Sequence, residues 1–274
     1  MVERFLDVQG GRLFLVDEGE GPPIVLLHAG VADHRAWDGV VPLLVADGYR
    51  VVAYDARGAG ASTSDDVEFS RRADVVAVMD ALALDHAALV GNSLGGQTAF
   101  DAAIEYPGRV VAVVGVGAGL SGFDGESTPA ELEIFEAYRR LDSARPFDAD
   151  ALTDFEVGIW LDGPGQPRGR VDATVSRAFR AMAAALNERS PVGHEISLDP
   201  PANDRLDGLR CPVLAIAGSL DFAEVTQVAE RLETAAPNAR ALVWPDVAHM
   251  VGMEQPARLA AAITDFLARV PRWA

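Results

Sequence analysis

Lysine is absent from this chain of 274 residues, because all 23 basic residues are arginine. Lysine forms Schiff bases with carbonyl substrates and with pyridoxal phosphate, and it completes the phosphate-binding loop of nucleotide hydrolases. The sequence therefore excludes Schiff-base chemistry, pyridoxal attachment and a Walker-type phosphate loop.

Cysteine is nearly absent too, since Cys211 is the only one. A single cysteine cannot form a disulfide within the chain, so nothing points to an oxidising compartment. No apolar run approaches the roughly 20 residues that cross a bilayer, and the charged start, MVERFLDVQG, lacks the apolar centre of a signal peptide. We therefore expect a cytoplasmic protein without a membrane segment, in which Cys211 is a buried structural thiol.

Positive charge is scarce relative to negative charge, and the formal net charge is −18. A strongly acidic chain repels the phosphates of nucleic acids and of anionic membranes, so neither is an expected partner. A hydrophobic fraction of 49% with 23% charged residues is ordinary for a soluble globular protein and excludes wholesale disorder.

Apolar runs alternate with helical segments in the first half of the chain. "PIVLLHAG" (23–30) is a continuous apolar run, as expected of a strand that is buried on both faces. Segments 49–60, 87–90 and 110–116 follow the same pattern, with helical stretches between them. This alternation predicts an α/β fold with a doubly wound, mostly parallel sheet and right-handed crossovers.

The alternation stops between residues 122 and 207. Three helical stretches occur there, at 129–141, 148–160 and 172–188, without a strong strand run. We predict a helical lid inserted at 122–207 into a core formed by residues 1–121 and 208–274. Trp160, Phe155 and Met182 are candidates for lining the lid side of a pocket or for packing inside the lid.

The segment "GNSLGG" (91–96) follows a short apolar run and precedes a helix. Small residues allow a strand and a helix to approach closely, so the turn could serve packing alone. The same turn could instead expose the hydroxyl of Ser93 for attack on a carbonyl.

A serine hydroxyl needs a base, and the base needs an acid that orients it. Asp221 follows the apolar run "CPVLAIAG" (211–218), and His249 follows the run at 239–245. Because the carboxyl ends of parallel strands lie at one edge of the sheet, we expect both side chains near Ser93. Asp246 is a competing acid, although it lies too close to His249 in sequence to reach the far ring nitrogen easily.

The order Ser93, Asp221, His249 resembles the catalytic triad of α/β-hydrolases. "GNSLGG" resembles the serine turns of C–C bond hydrolases and enol-lactonases. "AHMVGMEQPARL" (248–259) resembles the histidine loop of the enol-lactonase and haloperoxidase-like branch, and "YDARGAGAS" (54–62) resembles the family's strand-four turn. The resemblance covers essentially the whole chain and implies a serine hydrolase with a lid.

The resemblance also implies an oxyanion hole made of two backbone N–H groups. One belongs to Leu94, the residue after the serine, and the other comes from the loop "HAGVAD" (28–33). Gly30 is the expected donor there, with Val31 as its neighbour, although Ala29 stands where the family more often has glycine.

The remaining polar candidates are expected to be structural. His28 would hold the loop backbone, and Asp55 and Arg57 would brace a turn. The other three histidines are expected at the surface or in turns: His34, His86 and His194. No spacing of histidine, cysteine and carboxylate residues indicates a metal, and we expect no cofactor.

Several functions remain open at this point. Cleavage of a carboxylic ester or lactone is the first expectation, with neutral substrates preferred because of the net charge. C–C bond hydrolysis of a diketone uses the same triad, and perhydrolysis without a cofactor is also open. A non-catalytic ligand-binding protein of this fold is the alternative from a different class. Family dehalogenases and epoxide hydrolases carry an aspartate at the position of Ser93, which argues against those two activities.

Overall fold

The computed structural model describes residues 1–188 and 192–271, in which nine strands form one sheet. The strands are β1 (Val2–Val8), β2 (Gly11–Glu18), β3 (Pro23–Leu27), β4 (Arg50–Tyr54), β5 (Thr63–Ser64), β6 (Ala87–Asn92), β7 (Val110–Val116), β8 (Val213–Gly218) and β9 (Ala239–Trp244). Their order is β1-β2-β4-β3-β6-β7-β8-β9, and β5 pairs with β2. Pairings that involve β2 are antiparallel, whereas those from β4 through β3 to β9 are parallel. The predicted doubly wound, mostly parallel sheet is confirmed.

The α-helices of the described residues are α1 (Val41–Ala46), α2 (Arg71–Ala81), α3 (Leu94–Glu105), α4 (Pro129–Asp142), α5 (Ala149–Glu156), α6 (Ala173–Asn187), α7 (Ala223–Ala235), α8 (Val251–Glu254) and α9 (Pro256–Leu267). Short 3₁₀ helices lie at His34–Trp37 and Ala202–Gly208. None of the helices within these described ranges is long and apolar enough to cross a membrane.

The central strands are apolar on both faces because helices cover both faces. In β3, Val25 and Leu27 face the core shared with α2, α3 and α7, while Ile24 and Leu26 face the core shared with α1 and α9. This is the side-chain alternation of a strand, with both sides buried. The continuous apolar runs of the sequence therefore mark the middle of the sheet.

Between β7 and β8 the described residues form helices and no strand. α5 ends at Glu156, where the sequence predicted helix to Trp160, and the chain continues as a π-helix over Val157–Asp162. The apolar cluster that contains Phe179 and Met182 also includes Ala29 and Met250, so this insertion packs against the loops that follow β3 and β9.

The end of the insertion packs elsewhere. Leu198, Ala202 and Leu206 belong to the core on the α3 side of the sheet. The last part of segment 122–207 is therefore packed into the core beside the sheet, rather than among the other helices of the insertion.

Cys211, which the sequence analysis assigned as a structural thiol, is partly buried just before β8. Burial raises the pKa of its thiol to about 11, so the reactive thiolate is scarce at neutral pH.

Candidate active site

Ser93 lies on the sharp turn between β6 and α3. Its backbone dihedrals are φ 55° and ψ −119°, a conformation that favours glycine. The turn is tight, since a Cβ atom at Gly91 would lie 2.2 Å from the carbonyl oxygen of Gly95. A Cβ atom at Gly95 would in turn lie 2.3 Å from the carbonyl oxygen of Leu27. Close packing thus accounts for the glycines, but it does not explain a serine in a conformation that glycine would adopt without strain.

His249 and Asp221 meet at the carboxyl ends of β8 and β9. His249 Nδ1 lies 2.7 Å from Asp221 Oδ2, and the two side chains are 4% and 0% exposed. A carboxylate only accepts hydrogen bonds, so His249 Nδ1 is the donor in this contact. The other carboxylate oxygen, Asp221 Oδ1, accepts from the backbone N–H of Phe222 at 2.8 Å and is thereby held in place.

Asp246, the competing acid, contacts this loop through its backbone. Its N–H donates to Ser219 Oγ at 3.0 Å, and its carbonyl oxygen accepts from Arg170 at 3.2 Å. Within the described residues, the carboxylate that hydrogen-bonds the ring of His249 is that of Asp221.

Ser93 and His249 border the same cavity, which has a volume of about 150 Å³. Its walls are largely apolar and include Phe222 from the core and Trp160 from the insertion. The ring centroid of Trp160 lies 4.8 Å from that of His249. The insertion therefore covers the candidate site directly.

The three lid candidates from the sequence occupy different places. Trp160 lines the cavity, as just described. Phe155 packs against Tyr138 with ring centroids 6.4 Å apart, and Met182 is buried inside the insertion. Packing is thus the observed role of Phe155 and Met182.

Gly30 and Leu94, the two expected oxyanion donors, lie next to each other. A Cβ atom at Gly30 would be 3.4 Å from Leu94 Cδ2, and both residues border a second cavity of about 490 Å³. Val31 instead packs against the apolar cluster that contains Phe179 and Met182.

His28 fixes the start of this loop. Its Nδ1 donates to the carbonyl oxygen of Ala29 at 2.7 Å, and its Nε2 accepts from the N–H of Ala56 at 2.9 Å. Burial lowers the pKa of His28, which keeps the ring neutral. With both nitrogens occupied, His28 is a structural residue and not a base.

His34 departs from the sequence interpretation, which made it an ordinary surface or turn residue. Its Nδ1 lies 2.7 Å from Oδ1 of the buried Asp55, and Asp55 also accepts from the N–H groups of His34 and Ala61. Burial lowers the pKa of His34, but the hydrogen bond and charge of Asp55 outweigh this effect and raise it. The pair ties the far end of the 28–33 loop to the turn after β4, so Asp55 braces that turn.

The donor atoms of Asp33, His34 and Asp55 lie within 4.8 Å of one another. The carboxylate of Asp33, however, is held by the guanidinium of Arg35 at 2.8 and 2.6 Å. Both oxygens of Asp55 also accept hydrogen bonds from the protein, so the oxygens that a cation would need are already engaged.

Three residues near the site were missed by the sequence interpretation. Asn92, directly before Ser93, donates through Nδ2 to the carbonyl oxygens of Val116 and His249, at 2.8 and 3.2 Å. The sequence signal that could have identified Asn92 is its position inside "GNSLGG", directly before Ser93. Arg71 and Arg145 border the larger cavity together with Arg57, and nothing in their spacing indicated this.

Similar proteins include two curated relatives. The 2-hydroxymuconate semialdehyde hydrolase of Pseudomonas sp. strain CF600 is 30% identical over 285 aligned residues, which cover 97% of this chain and 94% of that protein. Epoxide hydrolase B of Mycobacterium tuberculosis is 35% identical over 130 residues, or 44% of this chain, and the match spans 36% of that protein's length.

Among solved structures, the esterase RhEst1 from Rhodococcus sp. ECU1013 has a TM-score of 0.76 and 25% identity, with 98% of this chain and 100% of that chain covered. The family described as alpha/beta hydrolase fold matches residues 22–256, from the residue before β3 to the first residue of α9. With this match, a doubly wound parallel sheet and a serine on the tight turn after a central strand, the chain belongs to the alpha/beta hydrolase fold family.

Proposed function

We propose that this protein is a serine hydrolase that cleaves a carboxylic ester or lactone through an acyl-enzyme on Ser93. The observation that carries the proposal is the buried 2.7 Å contact between His249 and Asp221, beside the cavity that His249 shares with Ser93. A neutral imidazole held through Nδ1 presents Nε2 as a base, which is what a serine hydroxyl requires.

The reaction proceeds in two halves. Ser93 Oγ attacks the carbonyl carbon while His249 Nε2 takes the hydroxyl proton, and the same nitrogen then protonates the departing oxygen as its bond to carbon breaks. In the second half a water molecule gives a proton to His249 and attacks the acyl carbon. His249 then passes that proton to Ser93 Oγ as the bond between Oγ and the acyl carbon breaks, which releases the acid and restores Ser93. Asp221 remains ionised and holds the imidazolium that forms in each half.

The backbone N–H groups of Leu94 and Gly30 are proposed to stabilise the oxyanion. The contact between Gly30 and the Leu94 side chain supports this role, as does the anchoring of the loop by His28. Donors fixed in advance stabilise developing negative charge without reorganising during the reaction. No metal or cofactor takes part in the proposed reaction.

The residues that line the two cavities indicate which substrate groups each cavity suits. The smaller one, with Phe222 and Trp160 in its walls, suits an apolar group. The larger one is bordered by Arg57 and Arg71, which are paired with Asp74 and Glu195, and by Arg145. Neutral esters remain the expectation from the net charge of −18, and an anionic ester belongs in the substrate panel because of these arginines.

The partial match to epoxide hydrolase B does not transfer that activity to this chain. By the family resemblance, epoxide hydrolases attack with an aspartate, and here the position is serine. An aspartate forms an alkyl ester with an opened epoxide, whereas a serine attack suits an acyl carbon.

The test uses a fluorophosphonate probe together with a panel of p-nitrophenyl esters, lactones and diketones. We expect the probe to label Ser93 and no other residue. Ser93→Ala should lose labelling and lower ester turnover by about 10⁴-fold or more. Labelling that survives Ser93→Ala, or a loss of turnover below tenfold, would mean that another nucleophile is responsible.

Hydrolysis of a C–C bond is the second candidate, and the 30% identical 2-hydroxymuconate semialdehyde hydrolase favours it. The same three residues serve that reaction, so only substrates separate the two. Turnover of a diketone far above that of every ester and lactone in the panel would select C–C hydrolysis. Labelling of Ser93 without turnover of any member would favour a ligand-binding role.

A further inference from the structure

The insertion touches both loops that carry the proposed base and acid. Gly163, directly after the π-helix, packs so closely that a Cβ atom there would lie 2.7 Å from the carbonyl oxygen of Leu220 and 3.2 Å from Ala248 Cβ. These two residues immediately precede Asp221 and His249 in the sequence. The insertion is therefore in van der Waals contact with the residue before Asp221 and with the residue before His249.

A single guanidinium joins the insertion to the histidine loop. Arg170 Nε donates to the carbonyl oxygen of Asp162 at 2.6 Å, and Nη2 donates to that of Leu161 at 3.0 Å. On the other side, Nη1 donates to the carbonyl oxygen of Asp246 at 3.2 Å, and Nη2 lies 2.6 Å from Glu254 Oε2. Arg170 thus binds two groups on each side of the contact.

Glu254 extends this connection to the residue before His249. Its Oε1 accepts from the N–H of Ala248 at 2.8 Å, and its side chain is 4% exposed. Burial raises the pKa of Glu254, while the hydrogen bonds from Ala248 and Arg170 oppose that rise. Without Arg170 the Glu254 carboxylate would be buried without an ion-pair partner, which is unfavourable. We expect it then to move towards water or to take up a proton, so that the loop it holds through Ala248 loses its fixed position.

We infer that Arg170 is a positioning residue, which holds the histidine loop from the insertion through Glu254 and Ala248. The inference rests on the proposed function, because its consequence is the placement of His249 as a base. With this role for Arg170, segment 157–170 is a fixed part of the active site. It is not a lid that opens and closes over a triad that is complete without it. A displacement of a catalytic group by about 1 Å can lower a rate by about 100-fold, so a loosened loop has a measurable effect.

The experiment compares Arg170→Ala and Arg170→Lys with Arg180→Ala as the matched control. Arg180 is also an arginine of the insertion, and it pairs with Asp154 at the surface, away from both cavities. For each variant we would measure the rate of fluorophosphonate labelling of Ser93, kcat and KM for p-nitrophenyl acetate, and the melting temperature. All rates are taken well below the melting temperature of the least stable variant.

Arg170→Ala should slow labelling and lower kcat by about 10- to 100-fold, with KM changed by less than about threefold. Arg170→Lys should recover part of this loss, because its ammonium still pairs with Glu254 although it cannot bridge the carbonyl oxygens. Arg180→Ala should match the wild type. A merely structural role would lower the melting temperature without the selective loss of kcat and without recovery by lysine.

Wild-type labelling separates the two ideas. A wild-type protein that the probe does not label contradicts the proposed function and removes the basis of the inference. A labelled wild type with an equally reactive, folded Arg170→Ala protein overturns the positioning role alone. If Arg170→Ala does not fold, Glu254→Gln decides, since it keeps an acceptor for Ala248 and loses the ion pair. Its labelling should slow by about fivefold or more, and an unchanged rate would overturn the inference.

Discussion

Glycine at position 93 should give a more stable protein than alanine at the same position. Both substitutions remove the hydroxyl, so their difference isolates the backbone conformation of φ 55° and ψ −119°. Such a backbone region destabilises the protein by about 1–3 kcal/mol when the residue has a Cβ atom, and by little when it is glycine. Glycine also gains about 0.4–1 kcal/mol of conformational entropy in the unfolded state, which opposes the effect. The net expectation is that Ser93→Gly is about 1–2 kcal/mol more stable than Ser93→Ala.

Urea unfolding of the two variants measures this difference, and thermal unfolding should show it as a shift of about 2–4 °C per kcal/mol. Ser176 in α6 supplies the control, because its helical backbone suits alanine better than glycine by about 1 kcal/mol. The order of the two variants should therefore be opposite at positions 93 and 176. Should glycine be the less stable choice at both positions, the turn stores no strain, and the argument that Ser93 is retained for chemistry loses its physical basis.

Two further predictions concern carboxylates. Asp221→Asn should fold yet lower kcat/KM by about 10⁴-fold, because its one amide oxygen accepts from the N–H of Phe222 and its NH2 group, a donor, then faces His249 Nδ1 and favours the wrong tautomer. Asp246→Asn should stay within about threefold of wild type. The reverse pattern in ester kinetics would assign the acid to Asp246. Burial raises the pKa of Asp101 to about 6, so ionising it opposes folding above that pH, and this penalty disappears as the pH falls towards the unfolded value of about 3.9. Asp101→Asn should consequently add roughly 2–3 kcal/mol to the free energy of unfolding at neutral pH and little near pH 4. A gain that is equal at both pH values would show that this carboxyl is not the titrating group.

The sheet was predictable because its signal is local. A central strand such as β3 is covered by helices on both faces, which requires an unbroken apolar run, and that run is visible in the sequence. The positions of Ser93 and Asp221 were predictable for the same reason, since each follows such a run, and His249 was predictable because it follows the strand predicted at 239–245. The π-helix at Val157–Asp162 was not, because an apolar run within a helical stretch does not show whether its backbone hydrogen bonds span four residues or five.

Contacts between loops could not be predicted from the sequence. His34 and Asp55 pair because two turns of the chain are brought together by β3 and β4, and no spacing marks either residue as a partner. Arg170 and Glu254 meet across the boundary between the insertion and the sheet, again without a motif that joins them.

By itself, the sequence determined the fold class, the chain order of the three candidate residues and the tight turn at Ser93, because these depend on periodicity and on small residues close together along the chain. Only the tertiary structure decided that Asp221 rather than Asp246 holds His249, that His28 is locked in a structural role, and that the insertion binds the histidine loop. Those outcomes depend on hydrogen-bond distances and burial between segments far apart in the chain, and such quantities exist only once the sheet has brought the segments together.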